Sequence, residues 1–168
     1  EYKELLAEGM VAPTNMEVFV ANADGSNAKQ ITALGQANWA PNFTPDGKHI
    51  IFCSNHEYKR GFPFNMYRID LEGKGLEKIS RDKGFDAFPM FSPDGKTVVY
   101  RKAGAGSLLP RQWSLNTGLY KISSKGGDAE LISQNGYSPM FGADSDVVYA
   151  MDDGKSPSLI RIDLTRHT

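Results

Sequence analysis

Apolar residues in this chain come in short runs closed by turn-forming residues, and the runs repeat. Three segments align: PNFTPDGKHIIF from Pro41 to Phe52, PMFSPDGKTVVY from Pro89 to Tyr100, and PMFGADSDVVYA from Pro139 to Ala150, at offsets of 48 and 50 residues. The runs Ile50-Ile51-Phe52 and Val98-Val99-Tyr100 are β-branched and aromatic and too short for helices. Their unbroken apolar character predicts strands covered on both faces. Around Phe19, Tyr67 and Tyr120 polar and apolar residues alternate more, which predicts half-covered strands. Asp46-Gly47 and Asp94-Gly95 lie between apolar runs, as hairpin turns do. Glycine supplies a positive φ there, and Pro45 and Pro93 pre-set φ before the bend.

Two further motifs recur in step. An aromatic-centred strand with a turn occurs as EVFVANADGSN at 17–27, MYRIDLEGKG at 66–75 and LYKISSKGGD at 119–128, with LIRIDL at 159–164 as a fourth copy lacking its turn. After each turn comes a short strand: KQIT at 29–32, EKIS at 77–80 and ELIS at 130–133. Each module therefore reads strand, turn, strand, long connection, strand, turn, strand. Four-stranded modules with a period of roughly 40–50 residues mark a β-propeller. The expected fold is all-β, a partial β-propeller of about three and a half four-stranded blades with a short N-terminal helix. Residues 1–35 hold the helix and the last strands of one blade, 36–84 and 85–134 are whole blades, and 135–168 form an incomplete one. The helix is read from EYKELLAEGM, where Tyr2, Leu5 and Leu6 share a face and Gly9 can cap the end. It packs on the rim or binds a partner.

Composition narrows the chemistry. Lys plus Arg is 19 and Asp plus Glu is 20 in 168 residues, a formal charge of −1. That balance gives no electrostatic reason to expect nucleic acid. No apolar run approaches the roughly 20 residues of a membrane helix. Cys53 is the single cysteine, so no internal disulfide forms. It reads as a buried structural thiol, since a catalytic thiol wants an exposed electropositive setting and only His49 and His56 lie nearby in sequence. The chain opens on Glu1 without a charged-then-apolar leader, as expected of a piece of a longer or processed polypeptide.

Catalytic motifs are not encoded. The histidines His49, His56 and His167 make no HxH or HExxH pair, so neither a metal nor another cofactor is expected. GYSPM at 136–140 lacks the second glycine of a nucleophile elbow. GAG at 104–106 is a loop, and no phosphate-binding motif occurs. The pairs Asp152-Asp153 and Asp144/Asp146 read as solvated loop acids. Asn22 to Asn27 reads as a hairpin turn, since a calcium loop needs a longer run of oxygen ligands. Asn42-Phe43-Thr44 matches a glycosylation sequon, but Pro45 follows it.

With the repeat established, a family is recognisable. NADGSNAKQIT, APNFTPDGKHIIFCSN and GFDAFPMFSPDGK resemble TolB-like propeller repeats, relatives of the WD repeat, through residues 1–100. The later part, YRKAGAGSLLPRQWSLNTGLYKISSKGG and YSPMFGADSDVVYAM, resembles propeller regions that precede amidohydrolase domains or belong to tricorn-like peptidases. The third repeat departs from the turn pattern, with Gly142-Ala143-Asp144-Ser145-Asp146 in place of SPDGK. Propellers close with roughly four to eight blades, and the resembled family with six, so the chain reads as an arc whose open blade edges invite self-association.

The resemblance implies a non-catalytic module that docks a protein or peptide in the periplasm or outside the cell. The alternative is an accessory propeller that gates substrate for an amidohydrolase or a tricorn/prolyl-oligopeptidase-like peptidase domain. In a propeller, the first strand of each blade lines the central channel and the loops leading into it form one mouth. Those segments here nominate Trp39, Asn42, Phe85, Asp86 and Tyr137 as binding residues. The aromatics, with Phe88, could equally pack between blades, and Asp86 could hydrogen-bond inside one. The long connections 101–117, with Arg101, Arg111 and Trp113, and Asn55 to Pro63 read either as partner contacts or as rim decoration.

Overall fold

The computed structural model describes residues 15–58, 63–81, 84–102, 116–152 and 158–165. The expected N-terminal helix lies outside them, as do Arg111, Trp113, Asp153 and His167. The described chain is all-β. β1 (Phe19–Val20) and β2 (Lys29–Gln30) form a two-stranded sheet. A four-stranded sheet follows, from β3 (Asn38–Phe43), β4 (His49–Ser54), β5 (Asn65–Asp70) and β6 (Glu77–Lys78). The next holds β7 (Asp86–Phe91), β8 (Thr97–Lys102), β9 (Gly118–Ser123) and β10 (Glu130–Ser133). β11 (Tyr137–Phe141), β12 (Val147–Met151) and β13 (Leu159–Asp163) make a three-stranded sheet.

Every sheet is an antiparallel meander in chain order. Across sheets the first strands meet, β3 against β7 and β7 against β11. Successive sheets thus converge on their first strands, the radial layout of propeller blades. No helix among the described residues is long and apolar enough to cross a membrane.

The runs expected to be covered on both faces are so covered: Ile51, Phe52, Cys53, Val98, Val99 and Tyr100 are all 0% exposed. The half-covered expectation fails at Met66 and Tyr67, which are adjacent and both buried. Met66 packs with its ladder partner Cys53 and with Val98 and Tyr100 of the next sheet, whereas Tyr67 packs with its ladder partner Phe52 and with Val18 and Ile31 of the preceding segment, on the other face. The alternation in the sequence sets in only at Arg68 and Asp70, nearer the turn.

The repeated turn differs in detail from a two-residue hairpin. The Gly47 amide donates to the Thr44 carbonyl at 2.8 Å and the Gly95 amide to the Ser92 carbonyl at 2.8 Å. Proline and aspartate are therefore the central residues, and the left-handed position is the glycine, φ 66° at Gly47 and 71° at Gly95. The Thr44 and Ser92 hydroxyls each donate to the turn aspartate at 2.6 Å and accept the amide of His49 or Thr97 at 3.0 Å. The hydroxyl of the KQIT and EKIS motifs also has a task. Thr32 Oγ1 accepts the Val18 amide at 2.8 Å, and Ser80 Oγ accepts the Met66 amide at 2.9 Å.

Neighbouring sheets join by the same device. Isolated parallel bridges pair Met16 with Ala37 and Phe64 with Phe85, positions 48 residues apart in both members. On the outer side, Gly73 sits so close to the preceding sheet that a Cβ would lie 2.6 Å from the Ile31 carbonyl. Gly126 repeats this against Ile79, at 2.9 Å.

Candidate binding surface on the converging first strands

All three first strands break register at the same place. The ladder slips between Trp39 and Asn42, between Ala87 and Met90, and between Tyr137 and Met140. Within each slip one non-glycine residue has a left-handed backbone: Ala40 at φ 51°, Phe88 at 54° and Ser138 at 49°. Each directly precedes a proline, Pro41, Pro89 or Pro139, and pre-proline residues favour extended backbone. A left-handed L-residue costs about 1–2 kcal/mol. Strain of this kind persists where surrounding structure enforces it and concentrates at functional sites.

The three bulges share one hollow of about 300 Å³, lined by Ala40–Asn42, Phe88–Met90 and Ser138–Met140. Among the described residues no charged side chain lines it. Phe88 is 49% and Met140 56% exposed, which is unusual for large apolar side chains lying beside each other in one concavity.

The nominated residues separate into three places. Asn42 lines the hollow. Trp39 and Phe85 stand behind it in an aromatic cluster: Trp39 lies 5.7 Å from Phe64, 5.7 Å from Phe85 and 5.3 Å edge-on to Phe88. The buried Trp39 indole nitrogen has no hydrogen-bond partner among the described residues. Tyr137, 39% exposed, precedes Ser138 on β11. Asp86 is 0% exposed at the start of β7, opposite Lys102 in the ladder, and belongs to the joint between sheets. Met90, Ser138 and Met140 are not among the nominated residues, although Met90 and Met140 are equivalent positions of the aligned repeats. Their signal is the proline at one register position of all three repeats, since proline inside a strand marks an edge or a bulge.

Two groups with reactive side chains lie close by. Burial pushes the Cys53 thiol well up, the Asp86 charge raises it further, and a hydrogen bond with the Phe88 backbone pulls it slightly back. It is a neutral structural thiol. Ser54 Oγ and His56 Nδ1 are 2.9 Å apart, the spacing of a nucleophile and its base. The polarity is reversed, however. Asn38 Nδ2 donates toward Met16 O, Glu17 Oε2 and Gly35 O, which turns Asn38 Oδ1 to Ser54. Ser54 gives its proton to that oxygen at 2.6 Å, so His56 Nδ1 must donate to Ser54. The imidazole cannot take the serine proton in this arrangement. Burial also lowers the His56 pKa, with Glu57 opposing. Asp24 accepts both the amide and hydroxyl of Ser26, which closes the 22–27 loop as a hairpin turn. Among the described residues no group of three or more His, Cys, Asp or Glu could hold a metal ion.

Comparison with known proteins fits this architecture. A family model described as the TolB beta propeller domain matches residues 11–167. The chain is 30% identical over 96 residues to the Tol-Pal system protein TolB of Desulfotalea psychrophila, covering 55% of this chain and 21% of that protein. It is 35% identical over 86 residues to Dipeptidyl-peptidase 5 of Porphyromonas gingivalis, covering 51% of this chain and 12% of that one. Among solved structures, TolB from Acinetobacter baumannii superposes on 94% of this chain and 39% of its own, with TM-score 0.72 and 22% identity. Oligogalacturonate lyase from Vibrio parahaemolyticus superposes on 86% of this chain and 41% of its own, with TM-score 0.65 and 19% identity. These structural likenesses speak to the fold alone. The chain spans only about a fifth of the TolB relative's length.

Proposed function

The chain belongs to the TolB beta propeller domain family, and we propose that it is a non-catalytic propeller module that captures a protein or peptide of the bacterial envelope. Capture takes place on the converging first strands, and the module works in the periplasm or outside the cell. The observation that carries this reading is the uncharged hollow on three strained bulges, with Phe88 and Met140 open to solvent. Apolar and aromatic side chains at the centre of a concave patch are what protein recognition uses. The name of the Tol-Pal relative points the same way.

A photo-crosslinking amino acid at Met140, activated in cells producing the longer polypeptide, is expected to attach a protein. The same amino acid at Lys125, exposed in the turn after β9, is expected not to. Equal attachment from both positions would overturn the reading.

The second reading is an accessory propeller that gates substrate for a hydrolase domain outside this chain. The 35% identity to Dipeptidyl-peptidase 5 favours it. Under it, the longer polypeptide cleaves peptides and this chain alone does not. A longer polypeptide inert toward peptides would remove it.

A further inference from the structure

Resting on the binding reading above, we infer that the hollow selects one bulky, uncharged, apolar side chain presented by an extended peptide. The volume of about 300 Å³ lies at the small end of ligand pockets, with room for a side chain or two. Its lining decides which kind. The residues of all three bulges are uncharged, so a charged group entering the hollow would lose water without gaining an ion partner. Pro41, Pro89 and Pro139 have no backbone N–H, so each bulge offers an entering carboxylate one donor fewer. Met90 and Met140 are unbranched and polarisable and can close around apolar groups of different shape. Phe88 is the rigid wall, because Trp39 braces its ring edge-on at 5.3 Å and Phe85 packs behind Trp39. Asn42 contributes an amide able both to donate and to accept, which matches the backbone of an extended peptide. The occupant is thus held by an apolar anchor and by main-chain hydrogen bonding.

The test follows the methionine methyl signals of the full chain by NMR during titration with three blocked decapeptides of glycine and serine. Each carries one central residue: leucine, lysine or aspartate. The leucine peptide is expected to shift the Met90 and Met140 methyls and leave the buried Met66 in place. It should bind about tenfold or more tighter than the other two, as burial of one leucine side chain provides. Met140→Glu, at a position 56% exposed, should remove that preference while the Met66 signal stays native. If the lysine or aspartate peptide shifts the same methyls with equal affinity, the apolar selectivity is wrong and the binding surface stands. If no peptide moves them, both are wrong.

Discussion

Two joints between sheets use one backbone device and opposite charge placements. At the first, the acid is Glu17, just before β1, and the amide is Asn38, the first residue of β3 in the next sheet. Glu17 accepts from Thr32 Oγ1 at 2.6 Å, Gly35 N at 2.8 Å, Asn38 Nδ2 at 3.1 Å and Leu34 N at 3.3 Å. At the second joint, 48 residues on, Asn65 stands in the place of Glu17 and Asp86 in the place of Asn38. The third member changes too. Ser54, opposite Asn38, becomes Lys102, opposite Asp86. Asp86 is 0% and Lys102 6% exposed, and the Lys102 ammonium also lies 4.5 Å from the Tyr120 ring. The parallel bridge is common to both joints, while the acid is the half-buried Glu17 before β1 at one and the buried Asp86 at the start of β7 at the other.

The exchange can be broken. Asp86→Asn leaves a lysine charge facing an amide in a buried site and should cost about 3–5 kcal/mol in urea unfolding. The triple change Asn65→Glu, Asp86→Asn, Lys102→Ser installs the first joint's residues at the second and should recover more than half of that loss. No recovery would show that the two joints are not interchangeable. Glu17→Ala, which removes an acceptor shared by Thr32 Oγ1, the Leu34 and Gly35 amides and Asn38 Nδ2, should cost about 2 kcal/mol. Away from the joints, Ser138→Gly releases a left-handed serine and should raise stability by about 1 kcal/mol. A loss would mean that the hydroxyl, or its restriction of the unfolded chain, outweighs the strain.

The smallest effect is on titration. The Ser92 hydroxyl, then the Lys96 amide, hold the Asp94 carboxyl down at about 2. A carboxylate with a depressed folded pKa adds stability above its unfolded value of about 3.9, and the contribution is lost as pH falls toward 2. Ser92→Ala should therefore raise the Asp94 pKa in a carboxyl NMR titration and move the acid limb of stability to higher pH. An unmoved pKa would exclude the hydroxyl as its main cause.

Much of the fold is legible in the chain because turns and strand runs are local signals. Pro-Asp-Gly and the apolar runs after it mark each first hairpin, and the Thr32 and Ser80 hydroxyls recur because each satisfies one amide of the facing strand. The site is less legible. Trp39, Phe85 and Asp86 draw attention as aromatic or charged residues near a mouth, yet the structure packs the rings behind Phe88 and buries the acid in a joint. Met90 and Met140 look like ordinary core residues, and what exposes Met140 is a bulge whose only local trace is a proline. Which residue of a bulged strand faces the hollow depends on the register slip, and that is settled by the neighbouring strand.

The most direct measurement compares Met140→Glu with Asp86→Asn in affinity for the leucine decapeptide, at a temperature where both variants are folded. The account predicts at least about tenfold weaker binding for Met140→Glu with unchanged unfolding, and near-native binding for Asp86→Asn with markedly reduced stability. Binding lost with Asp86→Asn and kept with Met140→Glu would contradict it, and would return the recognition site to the buried acid.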